Sequence, residues 1–240
     1  SNHLIDSHRL VNLLSRKLHY SANLYLNMGA FGEAKRRFIA AIKVLNKEKR
    51  RGWLCKAYND YGLLAYMRGE TELAAENLHA GLQVSSEIGE QRQMAVSNRR
   101  LGRLAIDKEA YQEAEERLQR SKEIHLKMGQ DNRAIIAVAH LAELALKQND
   151  MPRAKQHTEE IWSHLASSPI DWLDESLYVY LAAYRVFICE QDDRAADMKR
   201  MAEAHLNKRA DSLKQPSAKA VFWTAPLHAQ VCSDMGLSLP

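Results

Sequence analysis

The chain has 240 residues, of which 46% are hydrophobic and 27% charged, a balance that excludes a disordered chain and fits a soluble globular or repeat protein. Ten glycines and five prolines are few, as a mostly helical chain requires. The formal net charge of +4 supports only a mild preference for acidic partners, and the longest nearly apolar run, residues 134–146, is too short to cross a bilayer and carries His140 and Glu143, which excludes a membrane partner.

Taken in chain order, the helices come in pairs. The first pair is predicted at about 11–28 and 31–48, with Ala22 as a small residue on its first helix, Gly29 at the turn, and Phe31, Ala34 and Phe38 on the second. The second pair, about 52–68 and 71–88, repeats these positions as Gly62, Gly69, Thr71, Ala74 and Leu78. The third, about 91–108 and 111–128, repeats them as Gly102, Glu109, Tyr111, Ala114 and Leu118; the fourth, about 131–148 and 151–167, as Ala142, Asn149, Met151, Ala154 and Thr158. Ala34, Ala74, Ala114 and Ala154 are thus 40 residues apart, and they open the phrases AKRRFIAAI, AAENLHAGL, AEERLQRSK and AKQHTEEIW. Two columns of small side chains let two helices approach closely, and the larger residues beside them are packing positions.

The turn column of Gly29, Gly69, Glu109 and Asn149 calls for a left-handed residue or a polar cap, and Gly89, Gly129 and Pro169 end each pair in a second column. A fifth pair, near 171–190 and 193–212, keeps the helical period but not the register, since either Ala195 or Ala196 could align. A last segment after Pro216, interrupted at Pro226, reads as a terminal cap.

These residues resemble the tetratricopeptide repeat (TPR) family, in a variety of about 40 residues against the usual 34 or so, closely over residues 11–168 and loosely over 169–212. The resemblance implies an all-α, right-handed solenoid of antiparallel helix pairs, about five pairs plus a C-terminal cap helix. It makes residues 1–240 a single domain, with repeats at about 11–50, 51–90, 91–130, 131–170 and 171–212 and a cap at 216–236. The phrases LQVSSEIGEQRQ and KEIHLKMGQDNR also resemble repeats of large bacterial signalling ATPases, transcription regulators and kinases. The function this implies is a protein- or peptide-binding scaffold, the sensory or assembly domain of a larger bacterial regulator. A receptor for a short peptide signal that regulates an attached effector is the alternative, and a helical-repeat enzyme ranks below both.

In TPR solenoids the first helix of each pair lines an inner groove, so the resemblance places the partner there. On the helix near 91–108, Met94, Ala95, Leu101, Gly102 and Ala105 fall on one side, and Val96, Arg99, Arg100, Arg103 and Asp107 opposite. The three arginines form a positive patch able to hold carboxylates, although a solvated face paired with neighbouring acids is the reading favoured on general grounds. The groove residues expected are Tyr20, Asn23, Asn59, Tyr66, Arg99, Arg100, Arg103 and His140. Of the five residues with which some family members clamp a chaperone tail, Asn23 and Arg100 match. His19 and Val96 stand in place of lysines, and Asp60 in place of an asparagine brings a charge that repels a carboxylate, so no such tail is expected.

No catalytic, cofactor or metal site is expected. His140 with Glu143, and His157 with Glu159 and Glu160, offer too few convergent ligands. HExxH, a P-loop, a strand-bound GxGxxG and GxSxG are all missing. Nucleic acid is disfavoured: the basic run from Asn46 to Arg51 reads as solvated loop charge without interleaved aromatics. Trp53, Trp162, Trp172 and Trp223 read as core anchors. Tyr178, Tyr180, Tyr184 and Phe187 read as packing against the cap, with an apolar side chain of a partner or a second copy of the chain held by any that remain exposed. Cys55, Cys189 and Cys232 are far apart and odd in number, which suits reduced thiols and a cytoplasmic location. Ser1 and Asn2 look like a remnant of tag cleavage with no initiator Met, which leaves open a fragment of a longer polypeptide.

Overall fold

A computed structural model describes residues 2–170 and 175–238, and their side chains from residue 13 onward. The described residues form helices α1 (Asn2–Asn27), α2 (Phe31–Lys47), α3 (Arg51–Met67), α4 (Thr71–Glu87), α5 (Gln91–Asp107), α6 (Tyr111–Lys127), α7 (Asp131–Lys147), α8 (Met151–Ser167), α9 (Ser176–Cys189), α10 (Arg194–Ser212), α11 (Pro216–Thr224) and α12 (Pro226–Met235). There is no strand among them. Each bound of α2 to α8 falls within one residue of the expected one. The helix α1 starts well before the expected residue 11, and residues 171–174, where α9 was expected to begin and Trp172 lies, are outside the described residues.

The regularity comes from the turns. Gly29, Lys49, Gly69, Gly89, Glu109, Gly129 and Asn149, 20 residues apart, all have positive φ, between 54° and 73°. After each of them the next N–H bonds back to a carbonyl five residues earlier, as in Ala30 to Tyr25 (2.9 Å), Arg50 to Leu45 (2.9 Å) and Ala110 to Ala105 (2.9 Å). This is the Schellman closure, which satisfies the carbonyls left over at a helix end. Glycine adopts this conformation without a Cβ penalty, whereas Lys49 and Glu109 adopt it at a cost. Capping at the opposite end is sparse: in the turns that precede α2, α3, α4, α6 and α7 no side chain caps the helix, whereas before α8 Asp150 does so, accepting from the Arg153 N–H at 3.1 Å.

Ala34, Ala74, Ala114 and Ala154 are all fully buried, as are Phe38, Leu78 and Leu118 one turn on. The opposing small column is equally tight. A Cβ added at Gly62 would lie 2.7 Å from Leu78 Cγ and 3.3 Å from the Ala74 carbonyl oxygen, so the bare glycine lets α3 seat against α4. Burying each of these leucines contributes about 2 kcal/mol.

The fifth pair departs in register for a visible reason. Its left-handed residue is Gln191 (φ 53°), and the helix before it runs two residues longer past Ala182 than its counterparts run past Ala142 and Ala22. Ala195 follows Gln191 by four residues, where Ala34, Ala74, Ala114 and Ala154 follow their left-handed residues by five, so Ala195 takes the buried place and Ala196 stays exposed. The cap is two short helices, not the single one expected, because Pro226 holds Ala225 in an extended conformation and starts a new helix.

The chain divides into two compact units, Ser1–Leu104 and Ala105–Pro240, the division falling inside α5. In the first, Ala22, Leu26, Ala34, Phe38, Tyr61 and Leu64 form one apolar cluster and Ala41, Leu45, Leu54 and Ala57 a second. In the second, a far larger cluster draws on α7 to α12, with Tyr178, Tyr180, Phe187, Met198, Phe222 and Val231 among its members and Trp162 and Trp223 packed against it. Among the described residues no helix is long and apolar enough to cross a membrane.

Candidate functional site

Columns that recur every 40 residues bring side chains from successive first helices together. In the first unit, one column reads Tyr20, Asp60, Arg100, and the column beside it reads Asn23, Leu63, Arg103. Asp60 on α3 is the centre. Its carboxylate accepts from His19 Nε2 (2.9 Å) and Asn23 Nδ2 (3.2 Å) of α1, and from Arg100 Nη1 (3.1 Å) of α5. Burial alone would raise the Asp60 carboxyl, but the His19 hydrogen bond and the Arg100 guanidinium outweigh it and hold the group at about 2. An ionised Asp60 can only accept, which fixes the proton of His19 on Nε2. The charge expected to repel a carboxylate ligand is therefore spent on neighbouring donors.

Around this network lie cations and rings. Lys56 Nζ sits 5.4 Å from the Trp53 ring centroid and 5.9 Å from that of Tyr20, and the Arg16 guanidinium lies 5.3 Å from Trp53. Tyr20 meets Trp53 edge-on at 5.7 Å and is 52% exposed, so part of the residue is open to a ligand. One period along, the Arg103 guanidinium covers the Tyr66 ring at 4.8 Å. The patch thus holds Arg16, Lys56, Arg100 and Arg103 around the carboxylate of Asp60. A cation laid over an aromatic face is attracted by the negative face of the ring. Trp53, read from sequence as a core anchor, is only partly buried and belongs to this patch.

Of the eight expected groove residues, Tyr20, Asn23, Arg100 and Arg103 lie on these two columns and Tyr66 lies under the Arg103 guanidinium; the other three are buried. Asn59 is fully buried and joins α3 to α5: its Nδ2 donates to the Gln93 carbonyl (3.3 Å) and Oε1 (3.1 Å), and Ser97 Oγ donates to its Oδ1 (2.7 Å). Gly81 makes room for it, since a Cβ there would lie 2.9 Å from Asn59 Oδ1. Arg99 is buried, so the three arginines do not share one solvated face. His140 is buried with its ring 4.1 Å from that of Tyr178. A projection at 100° per residue separates two sides of one helix, whereas a helix inside a stack is covered on more than one side. Trp53 was not expected on the groove, while His19 and Asp60 fall on the same first-helix faces as Tyr20, Asn23 and Asn59 but outside the eight. The legible signal was an acid and a base one period apart, Asp60 and Arg100.

In the second unit the corresponding columns are filled. Ile136 and Tyr180 belong to the large cluster that also holds Phe222, Val231, Cys232 and Met235. Glu143 pairs with Arg185 at 3.4 Å, and Arg185 also binds Asp234. Its second helices are laced by ion pairs, Lys122 with Glu160 (2.7 Å), Glu159 with Arg194 (2.6 Å), Lys155 with Glu190 (3.0 Å) and Arg153 with Glu115. The acids beside His140 and His157 are thus committed to cations, and no group of three or more His, Cys, Asp or Glu able to hold a metal occurs among the described residues. An open depression of about 660 Å³ is lined by Leu146, Met151, Tyr184, Arg185, Ile188 and Cys189, among others. Burial raises the Cys55 thiol to about 11 and also raises Cys232, while Cys189 is exposed.

The fold is that of TPR-like repeat proteins. The structure of BtubC (BKLC) from P. vanneervenii is similar over 100% of this chain and 93% of that one, with a TM-score of 0.61 and 16% identity. TPR-like repeats of a putative kinesin light chain from Podosopora anserina are similar over 83% of this chain and 97% of theirs (TM-score 0.56, 15% identity), and a singly substituted form of those repeats over 82% and 96% (TM-score 0.58, 15% identity). No protein-family model and no curated protein matches the chain. The class defined is an all-helical repeat solenoid of the TPR-like kind.

Proposed function

We propose that residues 1–240 form one TPR-like scaffold that binds a protein or peptide segment bearing acidic groups, as the sensory or assembly domain of a larger bacterial signalling or transcription regulator in the cytoplasm. The observation that carries this reading is the cluster of cations on the α1, α3 and α5 face. Arg16, Lys56, Arg100 and Arg103 lie there with rings beside three of them, and the Asp60 carboxylate among them is satisfied by its neighbours. Cations held over aromatic faces supply charge, and the exposed part of Tyr20 supplies an anchor. The TPR-like fold supports the reading because stacked helix pairs present extended surfaces for binding. The role proposed is binding, with no reaction assigned to the chain.

The test is calorimetry at low salt with acetylated 12-residue peptides rich in Asp, Glu and Leu, against the same peptides carrying Asn and Gln. The paired variant Lys56→Glu and Arg103→Glu, which leaves the Asp60 network intact, is expected to weaken the acidic peptides at least tenfold with unchanged helicity. Equal affinity for acidic and amide peptides, or no loss in the variant, would sink the proposal. Arg99 is left out because a charge reversal at a buried site tests stability, not binding.

A further inference from the structure

A second surface lies on the outer side of α1, apart from the cationic face. Leu14, Lys17, Ser21 and Leu24 form one stripe of this helix, and the repeat supplies their counterparts: Leu54, Ala57, Tyr61 and Leu64 on α3, and Ala134, Ala137, Leu141 and Leu144 on α7. All eight counterparts are buried. In α3 they are covered by α2, whose Ala34, Phe38, Ala41 and Leu45 share the clusters with them, and in α7 Leu141 and Leu144 share a cluster with Ala114 and Leu118 of α6. Leu24, by contrast, is 59% exposed where Leu64 and Leu144 are at most 1%, and Leu14 is 50% exposed where Leu54 is 4%. The chain itself therefore shows what fits such a stripe: an amphipathic helix with a small, large, small, large pattern at the spacing of α2.

One column departs from this pattern. Lys17 stands where Ala57, Ser97 and Ala137 are fully buried. With Arg16 beside it, and no acidic residue from 13 to 27, this part of α1 is wholly cationic. A second copy of α1 laid on the stripe would bring Lys17 against Lys17, which is unfavourable. We propose that the outer stripe of α1 binds an amphipathic helix of a partner that carries the α2-like apolar pattern and a carboxylate facing Lys17. Leucines at Leu14 and Leu24 supply the apolar contact, and Lys17 selects the charge of the helix that lies on it.

Two segments of this chain serve as matched probes. The α4 sequence, residues 71–87, has Ala74, Leu78 and Gly81 at the first three pattern positions and Ser85 at the fourth, with three glutamates and no Lys or Arg. The α2 sequence, residues 31–47, has the full pattern, Ala34, Phe38, Ala41 and Leu45, with five Lys or Arg and one Glu, so a preference for the α4 peptide would come from its charge. Hydrocarbon-stapled peptides of each, titrated into the full chain, are expected to differ at least tenfold in affinity in favour of the α4 peptide. Leu24→Glu should abolish that binding yet leave the acidic 12-residue peptides unaffected, which separates this surface from the cationic face. Lys17→Glu should reverse the preference toward the α2 peptide. Equal binding of the two peptides, binding of the α4 peptide that survives Leu24→Glu, or a dimer in sedimentation that Leu24→Glu dissociates would each overturn the proposal.

Discussion

The first-helix columns of the two units began from one repeat and ended with different uses. In the first unit the column of Tyr20, Asp60 and Arg100 is polar, partly exposed and ringed by Lys56, Trp53 and Arg103. In the second, that column continues as His140 and Tyr180 and the column of Lys56 as Ile136, all buried, in or beside a core completed by α11 and α12. A repeat thus fixes where side chains meet, while residue chemistry decides whether the meeting place is a surface or a core. Apolar and aromatic residues fill it; opposite charges one period apart keep it hydrated and ordered.

The largest effect is expected at what both units share. Replacing Ala34 in the first or Ala114 in the second by Arg inserts volume and charge between packed helices, and each is expected to cost more than about 3 kcal/mol. Calorimetric melting checks this, and an unmoved transition for either would end the claim of common packing. Next comes the network particular to the first unit. Arg100→Ala removes a donor from a carboxylate only 14% exposed, with an expected loss of about 1–3 kcal/mol. Adding Asp60→Asn should recover part of it in denaturant unfolding.

Acid should separate the two units by pH. Burial lowers His157, His164 and His228, all in the second unit, below the ordinary value of 6.5. A histidine lowered in the folded state binds its proton more readily when unfolded, so its contribution is full above about pH 6.5 and is lost as pH falls toward the lowered value. For Asp60, lowered to about 2 from 3.8, the contribution is full above about pH 4 and is lost only as pH falls through about 2. Hydrogen exchange, corrected for intrinsic rates, is expected to show α8 and α12 losing protection between pH 7 and 5 while α1 and α3 keep theirs. The smallest effect expected is a gain. Glu109→Gly and Lys49→Gly relieve left-handed backbone at φ 58° and 54°, stabilising by about 1 kcal/mol each, with less at Asn149 because Asn tolerates this conformation.

Much of the fold was legible because small residues and turn residues recur by type. The alanine column located every second helix from α2 to α8, and the glycine column marked most turns. Lys49 was not legible as a left-handed residue, since nothing about lysine signals it; its place in the 20-residue series of turns would have. The fifth pair was ambiguous between Ala195 and Ala196 because a first helix two residues longer and a buried alanine one residue nearer the left-handed residue nearly cancel. The candidate site was half legible. Tyr20, Asn23, Tyr66, Arg100 and Arg103 were picked from helix faces, but Asn59, Arg99 and His140 are buried by neighbouring helices that a single-helix projection does not contain. The Asp60 network needed three helices read together, each one period from the next.

What matters most is whether the first unit is where a partner is held. Hydrogen exchange followed by mass spectrometry, with and without a saturating acidic peptide from the calorimetric panel, tests this directly. Protection is expected in α1, α3 and the 91–104 part of α5, with α7 and α9 unchanged. Protection confined to α7 and α9, or none anywhere at saturation, would contradict it.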